Sequence, residues 1–139
     1  DNQITALFAR RRLLAIRGSA SPFVFIWDED LVEAMATGSE KDRVGIFNVA
    51  GDGSLTIDEI ATILGKSVQR LPGLLLEGAL AAGRLVGASR YGPEQVDFLR
   101  YRPVLSNRRL KEEFGFTPTK SSAETFAYFV EQARARRSL

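Results

Sequence analysis

Two short patterns each mark where a helix must begin. Thr56-Ile57-Asp58-Glu59 and Ser121-Ser122-Ala123-Glu124 both place a hydroxyl residue three positions ahead of a glutamate. In such a capping box the hydroxyl accepts from the third amide and the glutamate reaches back to the first. Behind the first box, Ile57, Ile60, Ala61 and Leu64 share one face before Gly65. Behind the second, Phe126, Phe129, Val130 and Ala133 do the same. A third start is written in charge. Asp28, Glu29 and Asp30 suit the positive end of a helix dipole, and Leu31, Ala34 and Met35 follow as an apolar stripe up to Gly38.

Between these helices lie short apolar runs of strand composition. Leu13–Ile16 ends at Gly18, Phe23–Trp27 is aromatic and β-branched, Val44–Val49 precedes the turn Gly51-Asp52-Gly53, and Val68–Leu71 precedes Pro72. Residues 1–12 read as the end of a helix, with Ile4, Leu7 and Phe8 on one face and Arg10, Arg11 and Arg12 at its negative end. Further helices are expected over 72–87, 94–101 and 106–114. The expected fold class is α/β, helix-rich, with a few short, mostly parallel strands.

Composition removes whole classes of chemistry. Among 139 residues there is no cysteine, so no disulfide, zinc-thiolate site or catalytic thiol is available. There is no histidine, which excludes the commonest general base and His-ligated metals. The charge balance is even, 19 basic residues against 17 acidic ones. No stretch reads as a signal peptide. The most apolar window, Leu71–Ala88, carries Glu77 and Arg84, each costing about 2.5–3.5 kcal/mol at bilayer depth. No membrane is expected, and the location expected is the cytoplasm.

Several motifs have bland readings that outweigh the functional ones. Asp28-Glu29-Asp30 reads as a helix cap rather than a metal site, because no second acidic cluster answers it. The stretch from Asn48 through Glu59 imitates a calcium loop, with Asp52 at position five, Gly53 at six and Glu59 at twelve. Ala50 at position three has no side-chain oxygen, so calcium is not expected. Glu59–Ser67 has the spacing of a helix-turn-helix entry, and Ala82–Val86 suggests a wing. Pro72 would then sit inside the recognition helix, at about 3 kcal/mol. The arginine clusters 10–12 and 134–137 read as solvated helix ends. Gly83 and Gly87 have the spacing of close helix packing.

The order of motifs says more than any one of them. Phe23-Val-Phe-Ile-Trp-Asp-Glu-Asp-Leu-Val-Glu-Ala34 resembles the "F-x-F-V-H-V-D-D-L-A-x-A" stretch of the extended short-chain dehydrogenase/reductases, the NAD-dependent epimerase/dehydratase family. Gly45–Gly51 resembles that family's "G-x-x-Y/F-N-V-A/G-G" strand, and Thr56–Gly65 the helix after it. Ser106–Pro118, with Leu110, Phe114-Gly115-Phe116 and Pro118, resembles "D-x-S/T-K/R-x-x-x-E-L-G-W/F-x-P". The final helix matches the family's closing helix. The resemblance covers the chain to about Ala133.

That resemblance implies that residues 1–139 are the C-terminal, substrate-side region of a Rossmann-type NAD(P)-binding epimerase, dehydratase or reductase. The dinucleotide-binding part would lie upstream. The family's glycine-rich phosphate loop is not in these residues. Nor is its Tyr-x-x-x-Lys pair, since Tyr91, Tyr101 and Tyr128 are followed four positions on by Gln95, Leu105 and Gln132. The resemblance therefore implies NAD or NADP in the parent protein, none bound by this chain alone, and no catalytic, cofactor-binding or metal-ligating residue within it.

Departures from the pattern bear on substrate. Trp27 stands at the family's histidine, and Phe23 stands where sugar-nucleotide epimerases carry a diphosphate-holding arginine. Arg102-Pro103 lines up with the family's second arginine, but Val104 and Leu105 replace the glycine and aspartate that follow it. A diphosphate wants bidentate arginines, so a sugar nucleotide is disfavoured and a less charged small molecule is expected. Arg102, Trp27 and Phe23 are the expected substrate-binding residues, with Phe98 close by. Asp28, Thr56 and Ser121 are expected as structural caps. Expected partners are the substrate, the N-terminal half of the parent, and other copies of the chain through uncovered apolar strand faces. The rival reading is a winged-helix nucleic-acid-binding module around residues 55–90; nucleic acid is otherwise not expected.

Overall fold

The computed structural model describes residues 8–20, 22–40, 44–85, 87, 100, 101 and 103–136. In chain order its elements are β1 (Arg12–Ile16), α1 (Asp28–Glu40), α2 (Ile57–Leu64), β2 (Ser67–Leu71), α3 (Gly73–Leu85), a π-helical turn (Leu110–Phe114) and α4 (Ser122–Ala135). The fold is mixed α/β, with a parallel strand pair. The chain divides into two compact units, residues 1–21 with 56–103, and residues 22–55 with 104–139.

The first unit is built on β1 and β2. Their register runs from Arg12 opposite Ser67 to Ile16 opposite Leu71, and the Arg17 amide continues it to the Leu71 carbonyl at 2.9 Å. Parallel strands need a crossover, and α2 leads straight into β2. Thr56 caps α2 with the full reciprocal box. Gly65 ends it in the left-handed conformation at φ 69°, and the Lys66 amide bonds back to the Ala61 carbonyl at 2.9 Å. Ile60, Ala61 and Leu64 are buried, as are Leu13 and Phe8, so α2 covers one face of the strand pair. The Lys66 ammonium pins the Phe8 carbonyl at 2.6 Å. Replacing Thr56 by alanine removes an acceptor from the first turn. The expected loss is about 1 kcal/mol, read as a lower urea midpoint at unchanged m-value.

Three expectations are corrected in this unit. The segment after Gly65 is a strand, so no recognition helix follows the turn and the helix-turn-helix pair behind the winged-helix reading is not formed. The strand β1 begins at Arg12, so Arg12 belongs to the sheet and not to a helix end. Gly87 lies past the end of α3, and among the described residues nothing comes within 4 Å of a Cβ on it, so no close packing is seen at that position. Within this unit the exposed leucines stand on α3, as Leu74, Leu75 and Leu85, rather than on β1 or β2. The helix expected over 94–101 lies, but for Arg100 and Tyr101, outside the described residues, as do Ile4 and Leu7.

The second unit is held together at one buried junction. Ser122, fully buried at the start of α4, accepts from the Phe25 amide at 3.2 Å and donates to the Gly53 carbonyl at 3.0 Å. The Gly51 amide donates to the Phe25 carbonyl at 2.8 Å, and the Ser122 amide to the Asp52 carbonyl at 2.8 Å. Three segments distant in sequence thus share one set of backbone bonds. Around it pack Phe23, Phe25 and Phe126, with Phe25 stacked 5.1 Å from Phe126. A second cluster joins Ala34, Leu110, Phe114 and Phe116, with Phe47 and Val49 against it.

Two runs expected as strands here are extended but unladdered. Phe23 forms a single antiparallel bridge to Leu55. Across 44–49, Phe47 and Val49 turn inward while Val44 and Ile46 are exposed. Side chains replace the ladder: Arg109 donates to the Ile46 carbonyl at 3.2 Å and Asn107 to the Ala50 carbonyl at 2.9 Å. The helix α1 also runs past Gly38 to Glu40, with Asp30 and Ala34 buried and Gly38 against the Phe114 ring. Its buried side is therefore marked by Asp30 and Ala34, and Met35 is exposed.

Candidate functional site

The buried carboxylate of Asp30 organises the most elaborate side-chain cluster of the second unit. It accepts from the Thr119 amide at 3.0 Å, the Thr119 hydroxyl at 2.7 Å and the Lys120 amide at 3.3 Å. Burial alone would raise its pKa, but these bonds from Thr119 and Lys120 outweigh it and hold the carboxyl below the ordinary aspartate value. The consequence is positional: the first turn of α1 and the loop before α4 are locked together.

Trp27 sits on that lock. The Lys120 ammonium lies 4.1 Å from the centre of its ring. Tyr128, on the exposed side of α4, meets it edge-on at 4.6 Å and 89°. The indole N–H donates to Glu29 at 3.2 Å. An indole with a cation on it and a phenol at its edge can stack a planar or apolar group and offer it one positive charge. Asp28, Glu29, Val32 and Glu33 line a shallow depression along the same end of α1. Asp28 accepts from the next amide at 3.1 Å, as a cap does.

Of the three expected substrate residues, Trp27 presents a partly exposed ring. Phe23 is buried, 6% exposed, in the core of its unit. Arg102 and Phe98 lie outside the described residues. Lys120 and Tyr128 were not singled out in the sequence. Tyr128 carries a usable signal, an aromatic ring off the inward stripe of Phe126, Val130 and Ala133. Lys120 carries none, because only the fold brings it to Trp27.

The calcium-like stretch has a different use. Asp52 accepts from Lys111 at 2.8 Å and Asn107 at 2.7 Å, and these bonds hold its carboxyl below the ordinary value. Among the described residues no group of three or more acidic side chains is placed to hold a metal, and no helix is long and apolar enough to cross a membrane.

No family model matches the chain. It is similar to uncharacterized proteins of Mycobacterium tuberculosis and Mycobacterium bovis, at 24% identity over 129 residues. That match takes in 91% of this chain and 34% of each relative, so the chain spans about a third of the length of the curated relatives it matches. In backbone it is similar to the crystal structure of gox2253, with a TM-score of 0.66, at 14% identity over 99% of this chain and 44% of that one. The latter likeness is one of fold.

Proposed function

We propose that this chain is the substrate-side, C-terminal region of a cytoplasmic NAD(P)-dependent epimerase, dehydratase or reductase, an oxidoreductase or isomerase whose dinucleotide site lies upstream. The observation that carries this is the order of motifs, with Phe23–Ala34, Gly45–Gly51, Thr56–Gly65 and Ser106–Pro118 in the family's sequence and spacing. Two further facts support it. The relatives are about three times as long as the matched segment, leaving room for a nucleotide-binding half. The carboxylate corresponding to the second aspartate of the first motif is Asp30, and it fixes the loop beside Trp27.

Within that reading Trp27 meets the substrate through its partly exposed ring, and Arg102 is the polar substrate contact that the resemblance implies. No residue here moves a proton or a hydride; the chain binds and orients. A less charged carbonyl or alcohol is the substrate, since Phe23 stands where a diphosphate clamp would be.

The test is on the complete gene product. It should carry a glycine-rich loop and a Tyr-x-x-x-Lys, and bind NAD(H) or NADP(H) saturably, while residues 1–139 alone bind neither. A product without either motif that binds no dinucleotide overturns the proposal. Turnover of a sugar nucleotide that is lost on Arg102→Ala overturns the choice of substrate class.

A further inference from the structure

Arg10, Arg11 and Arg12 line an open hollow of about 560 Å³, with Leu14 and Gln69 as its other described lining residues. The register explains why Arg12, Leu14 and Gln69 share it. Leu13 is buried under α2, so Arg12 and Leu14 face the opposite side of the strand pair, and Gln69 is the direct partner of Leu14. Four arginines elsewhere pair with carboxylates: Arg70 with Asp58, Arg100 with Glu77, Arg108 with Glu112 and Arg109 with Glu113. No carboxylate among the described residues pairs with Arg10, Arg11 or Arg12. The three guanidinium groups lining this hollow are like charges and repel one another. An arrangement that accepts this repulsion and supplies no counter-charge is suited to receiving one.

We propose that this hollow binds a phosphate ester or polyphosphate of metabolite size. Guanidinium forks meet phosphate oxygens two bonds at a time, which a lysine ammonium cannot do. Gln69 adds a neutral donor and acceptor, and Leu14 an apolar floor for the ligand's organic part. The hollow lies within the first unit, away in sequence from Trp27 and Lys120, and it stands whether or not a dinucleotide binds upstream.

Pyrophosphate titrated into the 139-residue chain by calorimetry at low ionic strength tests it. Saturable one-site binding is expected. Each single Arg→Ala change at 10, 11 or 12 should weaken it about 10-fold, equivalent to about 1.4 kcal/mol. The triple Arg→Lys variant keeps the charge and loses the forks, so a drop of about 5-fold or more is expected if geometry matters. It also guards against an alanine variant that fails to fold, checked by circular dichroism. Arg108→Ala, an equal change of charge elsewhere, should leave binding as it was. No binding at millimolar pyrophosphate, or equal losses in the Arg108 control, overturns the proposal. So does a 20-base-pair duplex that binds far more tightly, with a salt slope near −3, because the hollow would then be part of a nucleic-acid surface.

Discussion

Replacing Asp30 by alanine should destabilise the protein by about 3 kcal/mol, lowering its melting temperature by about 10 °C. The carboxylate is almost fully buried and takes three donors, two from Thr119 and one from Lys120. A bond to a charged acceptor contributes about 1.5–3 kcal/mol, and each buried donor left without a partner costs about 1–3 kcal/mol. Alanine removes the acceptor and fills none of the space. Asparagine at the same place keeps one oxygen and the shape, and should lose about half as much. The pH dependence has a definite direction. The folded pKa of Asp30 lies below the unfolded value of about 3.9, so its stabilisation is full above that pH and fades as pH falls through the folded pKa. The difference between parent and Asp30→Ala stability should therefore be flat at neutral pH and shrink below about pH 4. Trp27 is the sole tryptophan, and Lys120 lies over its ring, so release of the 119–120 loop should also change the fluorescence of the folded variant. A variant within 1 kcal/mol of the parent at pH 7 would sink the assignment of Asp30 as the lock.

How far the residues foretold this depends on the range of the forces. Both capping boxes were legible, because every group they need lies within four positions. So were the strand at Leu13–Ile16 and the one closing at Leu71, where β-formers sit between turn residues. The runs Phe23–Trp27 and Val44–Val49 have strand composition, yet their polar partners are side chains and single carbonyls that only the tertiary fold supplies. Periodicity could not reveal that. Asp30 was misjudged for a related reason: three acidic residues in a row look alike, and the buried one is chosen by Thr119, 89 positions away. With Asp30 buried, α1 turns Asp30 and Ala34 inward and leaves Leu31 and Met35 exposed. At the candidate site Trp27 was singled out because it stands at the histidine of the family the chain resembles, while Lys120 is a neighbour made by folding.

Gly51→Ala should cost about 3 kcal/mol or more, at the upper end of overpacking substitutions, and the reason is space rather than backbone conformation. A Cβ at this position would lie 2.7 Å from the Phe25 carbonyl oxygen, 2.9 Å from that of Lys120 and 3.1 Å from the Ser122 nitrogen. All three obstacles are backbone, so no rotamer change relieves them. Moving Phe25 away lengthens the 2.8 Å bond from the Gly51 amide, and moving Ser122 loosens its bonds to Phe25 and to Asp52. The strain thus passes into every segment that meets at the junction. Gly53, two residues on, provides the contrast. It has φ 72° and open space around its Cα, so alanine there costs only the left-handed conformation, about 1 kcal/mol, and asparagine less. Urea midpoints of Gly51→Ala, Gly53→Ala and Gly53→Asn separate the two causes. If the junction is as tight as these distances make it, the first falls far below the other two. Equal midpoints for Gly51→Ala and Gly53→Ala would mean that Phe25, Gly51 and Ser122 do not converge, and the second unit would need another account of what holds its three segments together.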